Sequence, residues 1–165
     1  MTSMSKAKEK EIDVYIVKAS VGDIVPRRVL LKEEKKLGID RVWIVGGKML
    51  YTVEYKHDFA SEDTGNIFIE TMSNTYTGSL GWVYTSRAQI LVTLVHDALL
   101  FAYMPNVKSM MCLWAMIYPE KPCDNNGYRS YGLPVPRSMY EKECFEIIKL
   151  EEFNNADELD RFLVL

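Results

Sequence analysis

The sequence predicts a mixed α/β domain of the α+β kind, with a run of strands packed beside helices, and three observations lead there. Apolar residues at Ile12, Tyr15, Ile16 and Ala19 fall at helical spacing. Two segments rich in β-branched and aromatic residues, 41–45 and 49–56, flank the turn Gly46-Gly47-Lys48. The chain has 165 residues, 48% of them hydrophobic, which suits a single domain over 1–165 with a sizeable core.

In order along the chain, residues 1–8 are mostly polar or small and are the one stretch that reads as disordered. A helix is expected over 9–19, although Val14-Tyr15-Ile16-Val17 taken alone also fits a strand. Residues 29–37 read as a short helix or turn stopped by Gly38. Strands near 40–45, 49–58 and 66–72 then form an expected antiparallel meander. A short helix is expected from Arg87 with Ser86 as its N-cap. Residues 91–95 and 99–104 read as a hairpin joined at His96-Asp97-Ala98, though a single helix over 86–103 has the same apolar content. Asn106 is the expected cap of a helix through about Met116, and the proline-bearing stretch 122–136 reads as a loop. A last strand over 144–150 precedes a last helix over 155–163, with Asn155 as N-cap and Glu158 at its third position.

Composition narrows the function classes. The most apolar region, 90–105, is interrupted by His96 and Asp97 and is too short to span a bilayer, and there is no signal-peptide pattern. Cys112, Cys123 and Cys144 are odd in number and lack metal-ligand spacing, so reduced thiols and a cytoplasmic protein are expected, with Cys112 buried in its apolar run. The formal charge of −3 runs against a uniformly basic nucleic-acid surface, although Arg27, Arg28, Lys32, Lys35 and Lys36 cluster in sequence. No dinucleotide or Walker glycine loop and no Gly-x-Ser-x-Gly elbow occurs.

The hairpin carries the chemistry. With a three-residue loop, Val45 faces Met49 and paired residues have numbers summing to 94, which puts Asp40 opposite Glu54. Lys56 shares that face by the strand period of two, as do Thr52 and Asp58. A two-residue loop would put Asp40 and Glu54 on opposite faces. Facing carboxylates repel, and a divalent cation between them removes the repulsion; hard oxygen donors suit Mg²⁺. Such a cation lowers the pKa of bound water and polarises a phosphoryl oxygen, while Lys56 can orient or help deprotonate that water. An isolated Glu-x-Lys is commonly an exposed ion pair; here both strands have apolar neighbours that would hold the groups rigidly.

Asp40, thirteen residues, then Glu54-x-Lys56 resembles the active-site signature of the PD-(D/E)XK nuclease superfamily. Asp58, Ala60, the stretch Thr64-Gly65-Asn66-Ile67-Phe68-Ile69-Glu70, Gly81-Trp82 and Thr85-Ser86-x-Ala88 look like small phage and prophage members of it. The likeness covers about residues 38–110. Ile39 stands where many members have proline, and Gln89 where an acidic residue is expected.

The resemblance implies a restriction-endonuclease-like αβββαβ core, a mixed central sheet flanked by helices. It implies a hydrolase, an endonuclease using Mg (or Mn) to cleave DNA, with Asp40 and Glu54 as metal ligands and Lys56 catalytic. A homodimer would address both strands, and no membrane partner is expected. The alternative is a non-catalytic nucleic-acid- or protein-binding module on the same fold. Glu9, on the first helix, is a further metal candidate implied by the resemblance, against the plainer reading of a carboxylate at a helix N-terminus; Glu11 comes next. Asp58 shares the face of Glu54 and Lys56, and Glu70 ends the third expected strand. Thr64 and Asn66 are candidates for phosphate contact or for shaping the turn before that strand. Trp82 and Tyr84 could stack on a base or belong to the core.

Overall fold

The computed structural model describes residues 4–153, and the helix expected over 155–163 lies outside them. Helix α1, Lys6–Ala19, begins at Ser5, whose hydroxyl accepts from the Lys8 amide at 3.3 Å, so residues 6–8 are helical rather than disordered. Its buried residues Ile12, Tyr15 and Ile16 form one face. The helical reading of this segment therefore holds over the strand reading.

Six strands form the main sheet in the order β1-β2-β3-β6-β7-β10. They are β1 Ile24–Arg28, β2 Arg41–Val45, β3 Met49–His57, β6 Ile90–Leu94, β7 Ala98–Tyr103 and β10 Cys144–Lys149. All neighbours are antiparallel except β3 and β6, which run parallel. A second, antiparallel sheet has the order β5-β4-β9-β8, built from β4 Asn66–Asn74, β5 Ser79–Leu80, β8 Lys121–Asn125 and β9 Tyr128–Pro136. Short helices α2 Lys32–Lys36, α3 Ser61–Thr64, α4 Trp82–Thr85 and α6 Arg137–Glu141 punctuate the strands, and α5, Met104–Ile117, is the second long helix.

The centre of the main sheet is buried on both faces. Ile12, Tyr15 and Ile16 of α1 pack with Trp43, Val53, Tyr55, Ile90, Val92 and Leu94. On the opposite face Leu91, Leu100 and Ala102 pack with Ile67 and Ile69 of the second sheet and with Met104, Val107, Met111 and Trp114 of α5. Strand β6 lies between the two cores, which is why Ile-Leu-Val-Thr-Leu is buried throughout rather than alternating. The hairpin over the 90–104 region is confirmed, and the single-helix reading is not. Among the described residues no helix is long and apolar enough to cross a membrane.

Several expectations need correction. An antiparallel meander exists, but it is β1-β2-β3, one strand earlier than expected. Strand β1 carries Pro26 and two arginines, a composition tolerated at a sheet edge and easily taken for a loop. The strand over 66–74 joins the second sheet, because the free edge of β3 is taken by β6. Ser86 ends α4 rather than starting a helix. Helix α5 starts at Met104, before Asn106, since Pro105 suits a first turn whose amides have no intrahelical partner. The expected loop 122–136 is the β8–β9 hairpin, turning at Asn126-Gly127 with Gly127 at φ +85°. Pro134 and Pro136 lie beyond the end of β8, where β9 has only β4 beside it. Cys112 is exposed, on the outer side of α5; all three cysteines are free.

Candidate functional site

The turn after Val45 has the three-residue form. Val45 pairs with Met49 and Arg41 with Val53, and the Asp40 amide continues the ladder by donating to the Val53 carbonyl at 2.9 Å. Asp40 thus sits at the mouth of the hairpin, where its Oδ2 accepts the Tyr55 amide at 2.8 Å. Glu54 and Lys56 follow on one face of β3. The Lys56 Nζ lies 2.6 Å from Glu54 Oε1, and 5.7 Å from the centre of the Trp82 ring.

Glu54 is 3% exposed, and its second oxygen, Oε2, is buried with no hydrogen-bond partner. Space for that oxygen depends on Gly38. A Cβ there would stand 3.2 Å from Oε2 and 3.0 Å from the Ser86 hydroxyl, and Gly38 has φ +71°. Ser86 in turn donates to the Gly38 carbonyl and accepts the Ala88 amide, tying the end of α4 to the start of β2.

Burial pushes the Asp40 carboxyl up to about 6; the Tyr55 amide opposes this, Glu54 adds to it, Lys56 opposes it and Glu9 adds a little. The mutual influence of Asp40, Glu54 and Lys56 places all three in one electrostatic neighbourhood. Glu70 is buried too, and its carboxyl is raised by desolvation and held down by Lys56 and by a hydrogen bond from the Trp82 amide. A strand of the second sheet therefore supplies a carboxylate to the same lysine, although β4 is not the neighbour of β3.

The remaining expected residues divide. Glu9 Oε2 is engaged by Arg41 Nη1 at 3.0 Å, beside the carboxylate pair rather than within it. Glu11 pairs with Lys8. Asp58 shares the parity of Lys56, but β3 ends at His57 and both Asp58 oxygens take backbone amides, Oδ1 from Ser61 and Oδ2 from Phe68. It is a fastening between β3 and β4 and does not join Glu54. Thr64 Oγ1 donates to the Ala60 carbonyl and accepts the Asn66 amide, so it shapes the turn. Gln89 Oε1 accepts the Thr52 amide at 3.0 Å, a strand-edge contact in which an acidic side chain is not needed. Trp82 is largely buried and Tyr84 is half exposed.

A network missed by the sequence lies behind Asp40. Arg41, 2% exposed, donates from Nε to Asp13 at 3.0 Å; the Tyr55 hydroxyl donates to Asp13 at 2.8 Å, and Trp43 Nε1 donates to that hydroxyl at 3.1 Å. Burial raises the Asp13 carboxyl while Arg41 lowers it. Arg41 Nη1 also reaches the Asp40 carbonyl at 2.9 Å, so α1 is latched to the backbone of the site residue. The only sequence signal was an arginine directly after Asp40 in an otherwise apolar strand.

Among the described residues, no three His, Cys, Asp or Glu side chains converge as a ready-made metal cluster. Mg²⁺ is held by as few as one or two carboxylates, with water and phosphate oxygens completing its shell. Asp40 and Glu54 supply such a hard-oxygen pair, and the orphaned Glu54 Oε2 is the polar atom a cation would satisfy. The donor set fits Mg²⁺ or Mn²⁺. Comparison of the chain with protein-family models, curated proteins and solved structures finds no match.

Proposed function

We propose that the chain is a metal-dependent nuclease of the PD-(D/E)XK kind, hydrolysing phosphodiester bonds in DNA. The observation that carries this reading is the meeting of Asp40, Glu54 and Lys56 at one end of the β2–β3 hairpin, with Glu54 buried and one of its oxygens unsatisfied. The order α1-β1-β2-β3 followed by a parallel β6 supports it, since an αβββαβ core calls for a helix, a meander and a later strand in the same sheet. The crossover here differs in carrying strands β4 and β5 of a second sheet with the one-turn helices α3 and α4.

Asp40 and Glu54 would hold the cation, which when bound supplies a Lewis acid and a more acidic water. Lys56 stands beside Glu54 at the partly open side of the site and is the group available to hydrogen-bond an attacking water or a phosphoryl oxygen. Trp82 and Glu70 confine the ammonium from the far side, which limits the positions it can take. Arg41 keeps Asp40 in register through its carbonyl. A second copy of the chain would bring a second site to the opposite strand of a duplex.

Incubation of the protein with linear, nicked, branched and single-stranded DNA in Mg²⁺, Mn²⁺ and EDTA tests the reading. Cleavage should require the metal and fall at least about 100-fold in Lys56→Ala, a loss typical of removing one general acid–base or electrostatic group. Absence of cleavage on every substrate, with DNA binding equal in the wild type and Lys56→Ala, would identify a non-catalytic module instead.

A further inference from the structure

A groove of about 380 Å³ opens past the C-terminal end of β3. Phe59, Phe68, Pro122 and Pro134 form its apolar walls, and Asn66 and Lys121 stand at it. That volume lies within the range of sites that take small organic ligands. It is linked to the candidate site along β4, where Phe68 and Glu70 share a face, roughly 7 Å apart at the usual strand rise. On β3 His57, which lines the groove, follows Lys56 with its side chain on the opposite face.

The two aromatic walls are held by separate devices. Phe59 is 65% exposed, yet its ring lies 3.7 Å from that of His57, centre to centre, and it follows Asp58, whose carboxylate is fixed by two backbone amides. Phe68 lies flat on β9 at Gly132, where a Cβ would come within 2.6 Å of its Cζ.

Two polar groups at the groove are unspent. The Asn66 backbone is bonded to Thr64, but its side-chain amide makes no hydrogen bond among the described residues, and Lys121 forms no ion pair among them. One cation and the neighbouring acids Glu62 and Asp63 of α3 make the groove a poor seat for phosphate. A flat, uncharged ring with donors and acceptors on its edge matches it better.

We propose that this groove receives one unstacked nucleobase of a single-stranded stretch of nucleic acid, its backbone passing on toward Lys56. Phe59 and Phe68 offer faces on which any base can stack, and the Asn66 amide and Lys121 ammonium meet its edge. A base inside a duplex reaches such a pocket only after leaving its stack, so the preferred substrate contains a single-stranded or frayed segment. The direction of the backbone rests on the nuclease reading; the base pocket itself does not.

The test is fluorescence anisotropy with a labelled thymidine strand of about 30 nucleotides, alone and annealed to its complement, in EDTA so that nothing is cleaved and with enough monovalent salt to keep the duplex paired. The single strand should bind at least about tenfold more tightly than the duplex, and Phe59→Ala should weaken it about tenfold, the effect of losing one base stack. Phe59 is exposed, so this variant should fold. Phe59→Trp should restore binding, with its indole fluorescence quenched as the strand is added. Equal or tighter binding of the duplex, or single-strand affinity unchanged in Phe59→Ala, would overturn the proposal. Cleavage by the wild type in Mg²⁺, set beside the Phe59 dependence of binding in EDTA, separates the two readings. Metal-dependent cleavage without a Phe59 effect sinks only the groove, and Phe59-dependent binding without cleavage by the wild type sinks only the nuclease.

Discussion

On the proposed nuclease reading, Asp40 is the residue at which function and stability pull in opposite directions. Its carboxyl titrates near 6 in the fold against an ordinary 3.8, with burial the main cause. The folded state therefore holds this proton more tightly than the unfolded one. Below about pH 4 both states are protonated and the group costs nothing; between pH 4 and 6 the unfolded chain ionises first and stability falls; above 6 the whole penalty is present. Asp40→Asn keeps an oxygen for the Tyr55 amide and removes the buried charge. It should stabilise the protein at pH 8 by about 1–3 kcal/mol in urea denaturation, with the gain vanishing near pH 4, and it should abolish cleavage. A variant that is less stable at pH 8 would show that Lys56 compensates the carboxylate more fully than burial penalises it.

The β2–β3 hairpin and α1 are the elements that make the site rigid, and Arg41 joins them. Its guanidinium lies between Glu9 and Asp13 of α1 and over the Tyr55 ring at 5.3 Å. Removing one partner of a largely buried ion-pair group leaves the other charges without compensation. Arg41→Ala should cost about 3–5 kcal/mol by denaturant unfolding at neutral pH, and less in acid, where Asp13, its carboxyl raised by burial, loses its charge. A loss under about 1 kcal/mol would mean that the carboxylates find solvent without it. The hairpin itself was legible in the sequence, because its register follows from a three-residue glycine turn and the period of two. The β8–β9 hairpin was equally open to reading at Asn126-Gly127, and the three prolines around it concealed the strands. Strand β1 was hidden by Pro26 and its flanking arginines, an edge composition that carries little apolar pattern.

At the scale of the whole molecule, the site exists only when the chain is folded. Asp40 and Glu54 meet across two strands, and Glu70, Trp82 and Ser86 arrive from the crossover and the second sheet. A cation that binds this arrangement and not the unfolded chain stabilises the fold by about 2.7 kcal/mol at a hundred times its Kd. Thermal unfolding should therefore shift upward on adding Mg²⁺ or Mn²⁺ relative to EDTA, and the shift should disappear in Asp40→Asn. An unchanged midpoint at saturating metal would argue against the pair as ligands. The residue pattern specified β10 and, given a three-residue turn, the β2–β3 register and the shared face of Asp40, Glu54 and Lys56; it favoured α1 and the β6–β7 hairpin while a strand and a single helix stayed open as alternatives. Each depends on residues close in the chain, where turn geometry and the periods of helix and strand are decided by neighbours. That β6 takes the free edge of β3, that β4 leaves for a second sheet, and that Asp58 fastens strands instead of joining the site emerge only once the whole chain is packed. Those choices depend on burying whole faces at once, in two cores on either side of one sheet, and no local window of sequence contains that sum.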